Sequence, residues 1–368
     1  MDISLITIYR SNNYGAILQA YATVRVLEKY GNVTIINYVN DHLCKDLNLF
    51  RFGLSIRGGL MLIHDVLRFR YRKSLLRKIR RFIGANFNET PPLSRDKLFS
   101  TGAGIFDVYV CGSDQIWNSK IVSRNKTVDS IYFLSFAVQG AKKIAYASSM
   151  GSGIFQDNDK ALIRELLVGF HGISMRERDG IEKLSEVIPN REIKHALDPT
   201  LLLRRDEWLS LLNIQVRKPK KDYILVYTVP RSGLLKKAVD FFSEKLDLEV
   251  VLIDQMLVPG AKADRVVRDA GPDEFVEFFS NASFVITDSF HGVSFAIQFE
   301  KPFASIALDG LSNRVTDLLD LLDLKDRLVW NESQFDGVSC YLDYTDVYGK
   351  LDTLRAQSIS FLDAHLIA

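Results

Sequence analysis

Ile286-Thr287-Asp288-Ser289-Phe290-His291-Gly292-Val293-Ser294-Phe295-Ala296 is the stretch that decides the fold. The apolar run from Ala282 to Ile286 reads as a strand, Thr-Asp-Ser as a tight turn, and the residues from His291 onward as an apolar helix. A strand that turns straight into a helix is the repeating joint of α/β sheets. Unpaired backbone N–H groups and the positive end of the helix dipole meet at such a joint, which makes it a ready anion site. A histidine placed there adds a proton-transfer group. The combination points to chemistry on a small anionic substrate.

The same alternation runs outward in both directions. Upstream, Ile3–Thr7, Val33–Tyr38, Phe106–Val110, Lys143–Ala147 and Ile173–Met175 read as strands. Helical segments lie between some of them, at Ala16–Tyr30, Asp159–Val168 and Glu177–Val187. After a basic and polar stretch, Asn213 to Asp222, a second series begins with strands Tyr223–Tyr227, Glu249–Ile253, Ala282–Ile286 and Phe303–Ile306. Its helices are Ser232–Lys245, Pro272–Ser280 and Gly292–Phe299, the second with proline at its first position. Strands separated by helices imply parallel sheets covered on both faces. The expected fold is α/β, two Rossmann-like domains facing a cleft, divided into residues 1–205 and 206–368, with the last helix packing back on the first domain. Ligands of such sheets bind beyond the carboxyl ends of the strands.

With 368 residues, 47% of them hydrophobic, the chain is long enough for two domains of ordinary globular composition. A net charge of +2 gives no global field for nucleic acid. Three widely spaced cysteines, Cys44, Cys111 and Cys340, argue against a disulfide framework or zinc site and for a reducing, cytoplasmic compartment. The chain opens on strand-like Asp2–Thr7 with no basic n-region, so no signal peptide is expected.

Residues 41–90 interrupt the alternation and are expected to be an insert in the N-terminal domain. Ten Arg or Lys lie between Arg51 and Arg81 against one acid, Asp65, with Leu60, Ile63, Val66, Leu67, Leu75 and Leu76 among them. A basic amphipathic element of this kind reads as a membrane-surface binder over residues 51–82, at about 1 kcal/mol per basic residue near an anionic leaflet. The competing expectation is a helix pair packed on its domain with a basic solvated face.

Several short segments combine in order: Ser11-Asn12-Asn13-Tyr14-Gly15-Ala16, Cys111-Gly112-Ser113-Asp114-Gln115-Ile116-Trp117-Asn118, Ala145-Tyr146-Ala147-Ser148-Ser149-Met150-Gly151, Ser174-Met175-Arg176-Glu177-Arg178, Leu197-Asp198-Pro199-Thr200, Asp288-Ser289-Phe290-His291-Gly292 and Ser312-Asn313-Arg314-Val315. In number and order they resemble the polysaccharide pyruvyl transferase family over nearly the whole chain. The resemblance implies a GT-B-like fold and transfer of pyruvate from phosphoenolpyruvate to a sugar of a surface or lipid-linked glycan. With the basic insert, a lipid-linked acceptor suggests a cytoplasmic protein peripheral to the inner face of the cytoplasmic membrane.

To form a cyclic ketal, the methylene carbon of the enol is protonated and an oxocarbenium-like centre forms at the enol carbon. One sugar hydroxyl adds, phosphate leaves, and a second hydroxyl closes the ring. The site needs a general acid, a base and cations for the departing phosphate. No metal is required, and no HxH, HxxxE or paired-carboxylate pattern asks for one. His291 is the expected proton-transfer group, with Ser289 and the N–H groups of Gly292 and Val293 holding phosphate. Some family members carry an arginine two positions before this histidine; Ser289 stands there, so another cation must serve. Arg176 matches a family arginine, and a guanidinium recognises carboxylate or phosphate bidentately. Arg178 is its fallback, and Arg314 opens a helix from which it could reach the site. On the acceptor side, Asn13, Tyr14, Gly15 and Gln115 are expected to meet hydroxyls, Asp114 to act as base, and Trp117 to stack on a sugar.

Two rival expectations stand beside this one. A nucleotide-sugar glycosyltransferase of the same architecture would carry a ribose-binding carboxylate where Phe295 stands. A non-catalytic glycan-binding scaffold would fit the loss of arginine at Ser289.

Overall fold

The computed structural model describes residues 1–51, 56–215, 221–229, 231–308 and 313–367. Ser312 and residues 216–220 of the polar stretch lie outside them. The chain forms two compact units: Met1–Asp46 with Gly84–Leu202 and Leu351–Ala368, and Leu47–Ile83 with Leu203–Lys350.

Unit 1 is built on a six-stranded parallel sheet in the order β2-β1-β3-β4-β5-β6. Its strands are β1 (Asp2–Ile6), β2 (Asn32–Ile35), β3 (Val108–Gly112), β4 (Lys142–Ser148), β5 (Phe170–Met175) and β6 (Lys194–His195). Unit 2 repeats the plan with β7 (Tyr223–Tyr227), β8 (Glu249–Ile253), β9 (Arg265–Val267), β10 (Phe284–Thr287), β11 (Phe303–Ile306) and β12 (Leu328–Val329), ordered β12-β11-β10-β7-β8-β9. Central strands such as Val108–Gly112 and Phe284–Thr287 are buried residue by residue, as apolar runs covered on both faces must be. In each unit the second strand lies on one side of the first, and a later strand returns on the other. The order therefore reverses between β1 and β3 and between β7 and β10, the two places where ligands of open sheets collect.

Several boundaries differ from the sequence expectation for local reasons. The first helix runs Tyr14–Leu27, earlier than expected, because the Asn13 side chain accepts from the Ala16 N–H and starts it there. The expected strand Val33–Tyr38 stops at Ile35; beyond it the Ile36 N–H still donates to the Leu5 carbonyl and an isolated bridge joins Tyr38 to Leu93. β6, β9 and β12 have two or three residues each, too few to show a period.

The insert belongs elsewhere than expected. Its two helices, Ile56–Leu67 and Phe69–Asn86, group through Ile83 with unit 2, not with the N-terminal unit. Lys78 donates to the Asp269 carbonyl (2.9 Å) and to Glu274 (2.7 Å), and the Arg268 guanidinium sits 5.6 Å from the Tyr71 ring. Partners nearly two hundred residues away in sequence decide this placement, so neighbourhood along the chain misleads. The last helix, Thr345–Leu366, returns to unit 1, where Ser358 accepts from the Leu197 N–H (3.0 Å) and Asp363 from the Tyr30 hydroxyl (2.7 Å).

Candidate active site

At the carboxyl edge of the unit 2 sheet, β10 passes through Asp288 and Ser289 into the helix Phe290–Gln298. The Asp288 carboxylate is buried and accepts from the Thr228 hydroxyl (2.7 Å) and the Val229 N–H (2.9 Å), so it ties the ends of β10 and β7 together. Burial pushes its carboxyl up, against these two hydrogen bonds, which favour the charged form. Gly292 lies so close to β10 that a Cβ there would sit 2.1 Å from Thr287 Oγ1; no other residue type allows the helix to start at that point. The Ser289 hydroxyl makes no capping bond to the helix and lies against the Tyr227 phenol. That side chain therefore leaves the first-turn N–H groups uncapped, which suits an anion. His291 is 7% exposed in this first turn, its ring edge-on to Phe290 at 5.2 Å. The Arg314 guanidinium lies 5.7 Å from the same Phe290 ring.

Three further cations stand along this edge. Arg231, after β7, pairs with the buried Asp254 after β8 and donates to the Val258 carbonyl (3.1 Å). Arg268, after β9, donates to the carbonyls of Met256 and Leu257 (both 3.3 Å). Arg68, from the insert, reaches the Met256 sulfur at 4.0 Å. Sequence reasoning passed over all three. The signal for Arg231 and Arg268 was their place just beyond predicted or missed strand ends; Arg68 gave none, since it is distant in sequence.

Unit 1 presents a different edge. Arg176 follows β5 with its side chain 2% exposed, donating to Asp198 (2.6 Å) and Glu177 (3.0 Å), with Asp114 at 3.7 Å. Ser149 donates to Glu177 (2.6 Å), and Thr200 donates to Asp198 through both its N–H (3.0 Å) and its hydroxyl (2.7 Å). Its neighbouring carboxylates hold the Arg176 guanidinium well above its usual range, although burial alone would lower it. The arginine that the sequence reading gave to the donor is thus engaged by three carboxylates. Arg178 is exposed at the start of its helix. Asp114 takes part in the cluster, with a left-handed backbone at φ 65°. Trp117, expected to stack on sugar, is a core residue: its indole N–H donates to the Tyr132 carbonyl (3.2 Å) and its ring stacks on Phe133 at 5.0 Å. Asn13 is exposed at the helix start, Tyr14 and Gly15 are buried beside it, and half-buried Gln115 accepts from Asn118 (2.8 Å).

Residues 13–310 match the family described as polysaccharide pyruvyl transferase, and the chain belongs to that family. No curated protein matches it significantly. Among solved structures, it is similar to a UDP-GlcNAc 2-epimerase from Neisseria meningitidis bound to UDP-GlcNAc, at 11% identity over 97% of this chain and 94% of that one, with a TM-score of 0.48. It is also similar to the E. coli heptosyltransferase WaaC with ADP, at 11% identity over 84% and 89% of the two chains, with a TM-score of 0.39. Likenesses of this depth say nothing of substrate.

The ion cluster of unit 1 makes a sharp prediction. In Arg176→Met, three largely buried carboxylates lose their shared cation, and urea unfolding should show a loss of about 3–5 kcal/mol. An unchanged midpoint would show that the guanidinium is no structural tie.

Proposed function

We propose that the protein transfers pyruvate from phosphoenolpyruvate to a hydroxyl pair of a glycan, forming a cyclic ketal and releasing phosphate. The observation that carries the reading is the contrast between the two sheet edges. Unit 1 sets three carboxylates around one buried guanidinium, which repels a polyanion. Unit 2 sets an uncapped helix start and His291 on an edge that also carries Arg268, bonded to backbone carbonyls, and Arg314, while Arg231 there is matched by Asp254. The donor, with both a phosphate and a carboxylate, therefore fits unit 2. There the first-turn N–H groups of the helix and a guanidinium hold phosphate and carboxylate, and His291 gives a proton to the methylene carbon or the leaving phosphate.

A lipid-linked acceptor accords with the insert. Leu60, Ile63, Val66 and Leu67 are 62, 58, 54 and 66% exposed along the helix Ile56–Leu67. The one acid of the element, Asp65, is fully buried, while Arg70, Lys73, Arg77 and Arg80 are exposed. Outward aliphatics flanked by positive charge alone suit an anionic bilayer surface. Among the described residues no helix is long and apolar enough to cross a membrane.

Incubation with phosphoenolpyruvate and a panel of lipid-linked glycans should release phosphate and add one pyruvate to a product seen by mass spectrometry. His291→Gln should lower the turnover by about 10²–10⁴-fold with its circular dichroism unchanged. Stabilisation by UDP-sugars and not by phosphoenolpyruvate would replace this reading with a nucleotide-sugar transferase. For the insert, co-sedimentation with phosphatidylglycerol vesicles should be lost in the Ile63→Ser, Leu67→Ser double variant; equal pelleting of both proteins would remove the membrane contact.

A further inference from the structure

The insert turns its polar groups inward. Asp65 is fully buried and accepts three bonds from Arg51: from its N–H (3.0 Å), Nε (3.0 Å) and Nη2 (2.8 Å). Arg72, 1% exposed, donates to the Leu49 carbonyl (2.9 Å) and lies 3.8 Å from Asp65. Arg68 is 2% exposed, yet its Nε and Nη2 have no hydrogen-bond partner among the described residues. Only its Nη1 is engaged, 3.4 Å from His64 Nδ1 and 4.0 Å from the Met256 sulfur. Arg51 and Arg72 thus share the Asp65 carboxylate, and Arg68 forms no ion pair among the described residues. Asp254, the other acid whose charge acts on Arg68, is already matched by Arg231. Burial first, then the charges of Arg72 and Arg51, push the Arg68 guanidinium down to about 10. A buried cation without a counter-charge costs several kcal/mol unless something anionic meets it.

We propose that Arg68 binds a phosphate-class oxyanion at the carboxyl end of β8, which makes the basic insert part of the ligand site of unit 2. The inference rests on unit 2 being the anion-binding unit. The Nε and Nη2 edge is the one with which a guanidinium grips two oxygens side by side. The Met256–Leu257 segment beneath it is fixed by Arg268. Two sources share this chemistry: the phosphoryl group of phosphoenolpyruvate, and the phosphate of a lipid-linked acceptor.

The test is calorimetric binding and thermal unfolding of the full chain with inorganic phosphate, phosphoenolpyruvate and dodecyl phosphate. Arg68→Met removes an unmatched buried charge, so without ligand it should unfold no earlier than the wild type. It should also lose phosphate-dependent stabilisation. Arg68→Lys keeps the charge but not the planar pair of donors, and should bind about ten-fold more weakly. Loss with inorganic phosphate and phosphoenolpyruvate names the donor as the source; loss confined to dodecyl phosphate names the acceptor. Wild-type affinity for all three ligands in either variant overturns the proposal. Because the readout is binding, a failure here is distinct from absence of ketal formation, and neither result predetermines the other.

Discussion

The Asp288 carboxylate holds together the part of unit 2 on which everything else depends. It accepts from the Thr228 hydroxyl and the Val229 N–H, and so fixes the ends of β7 and β10 where the strand order reverses. One residue further on, the chain must begin a helix, and Gly292 lets that helix press against Thr287 with no room for a side chain. His291 is carried into place by these two constraints. Burial raises the proton affinity of Asp288, while the bonds it accepts favour its charged form.

Charge then separates the two units. Both have parallel sheets of six strands with a reversal beside the first strand, so topology alone does not say which binds an anion. Unit 1 spends its buried arginine on Glu177 and Asp198, with Asp114 close by, so that cluster holds more carboxylates than guanidinium groups. Unit 2 brings cations without a carboxylate partner to its edge from the loop after β9 and from the insert. A phosphate-bearing donor distinguishes strongly between two such surfaces, whereas a neutral sugar does not.

Much of this was legible in the sequence. The strand-turn-helix joint at Thr287–Gly292 and the alternation of strands and helices in both halves follow from local periodicity, and the structure has them. Short edge strands escaped because two or three residues carry no period. Trp117 was misread as a sugar platform because an aromatic residue after a strand looks alike whether it faces solvent or core. Arg176 was given to the donor because its partner Asp198 lies 22 residues downstream and Asp114 far upstream, beyond any local pattern. The insert was placed on the wrong unit for the same reason: the salt bridge from Lys78 to Glu274 spans 196 residues.

The most direct measurement follows the imidazole signals of the chain's six histidines by NMR while phosphoenolpyruvate is added. The predicted result is a saturable shift of the His291 ring resonances, with those of His171 and His365 in unit 1 unmoved. A His291 ring that stays unchanged while the donor binds, or a shift confined to the unit 1 histidines, would contradict the placement of the donor at the β10 turn.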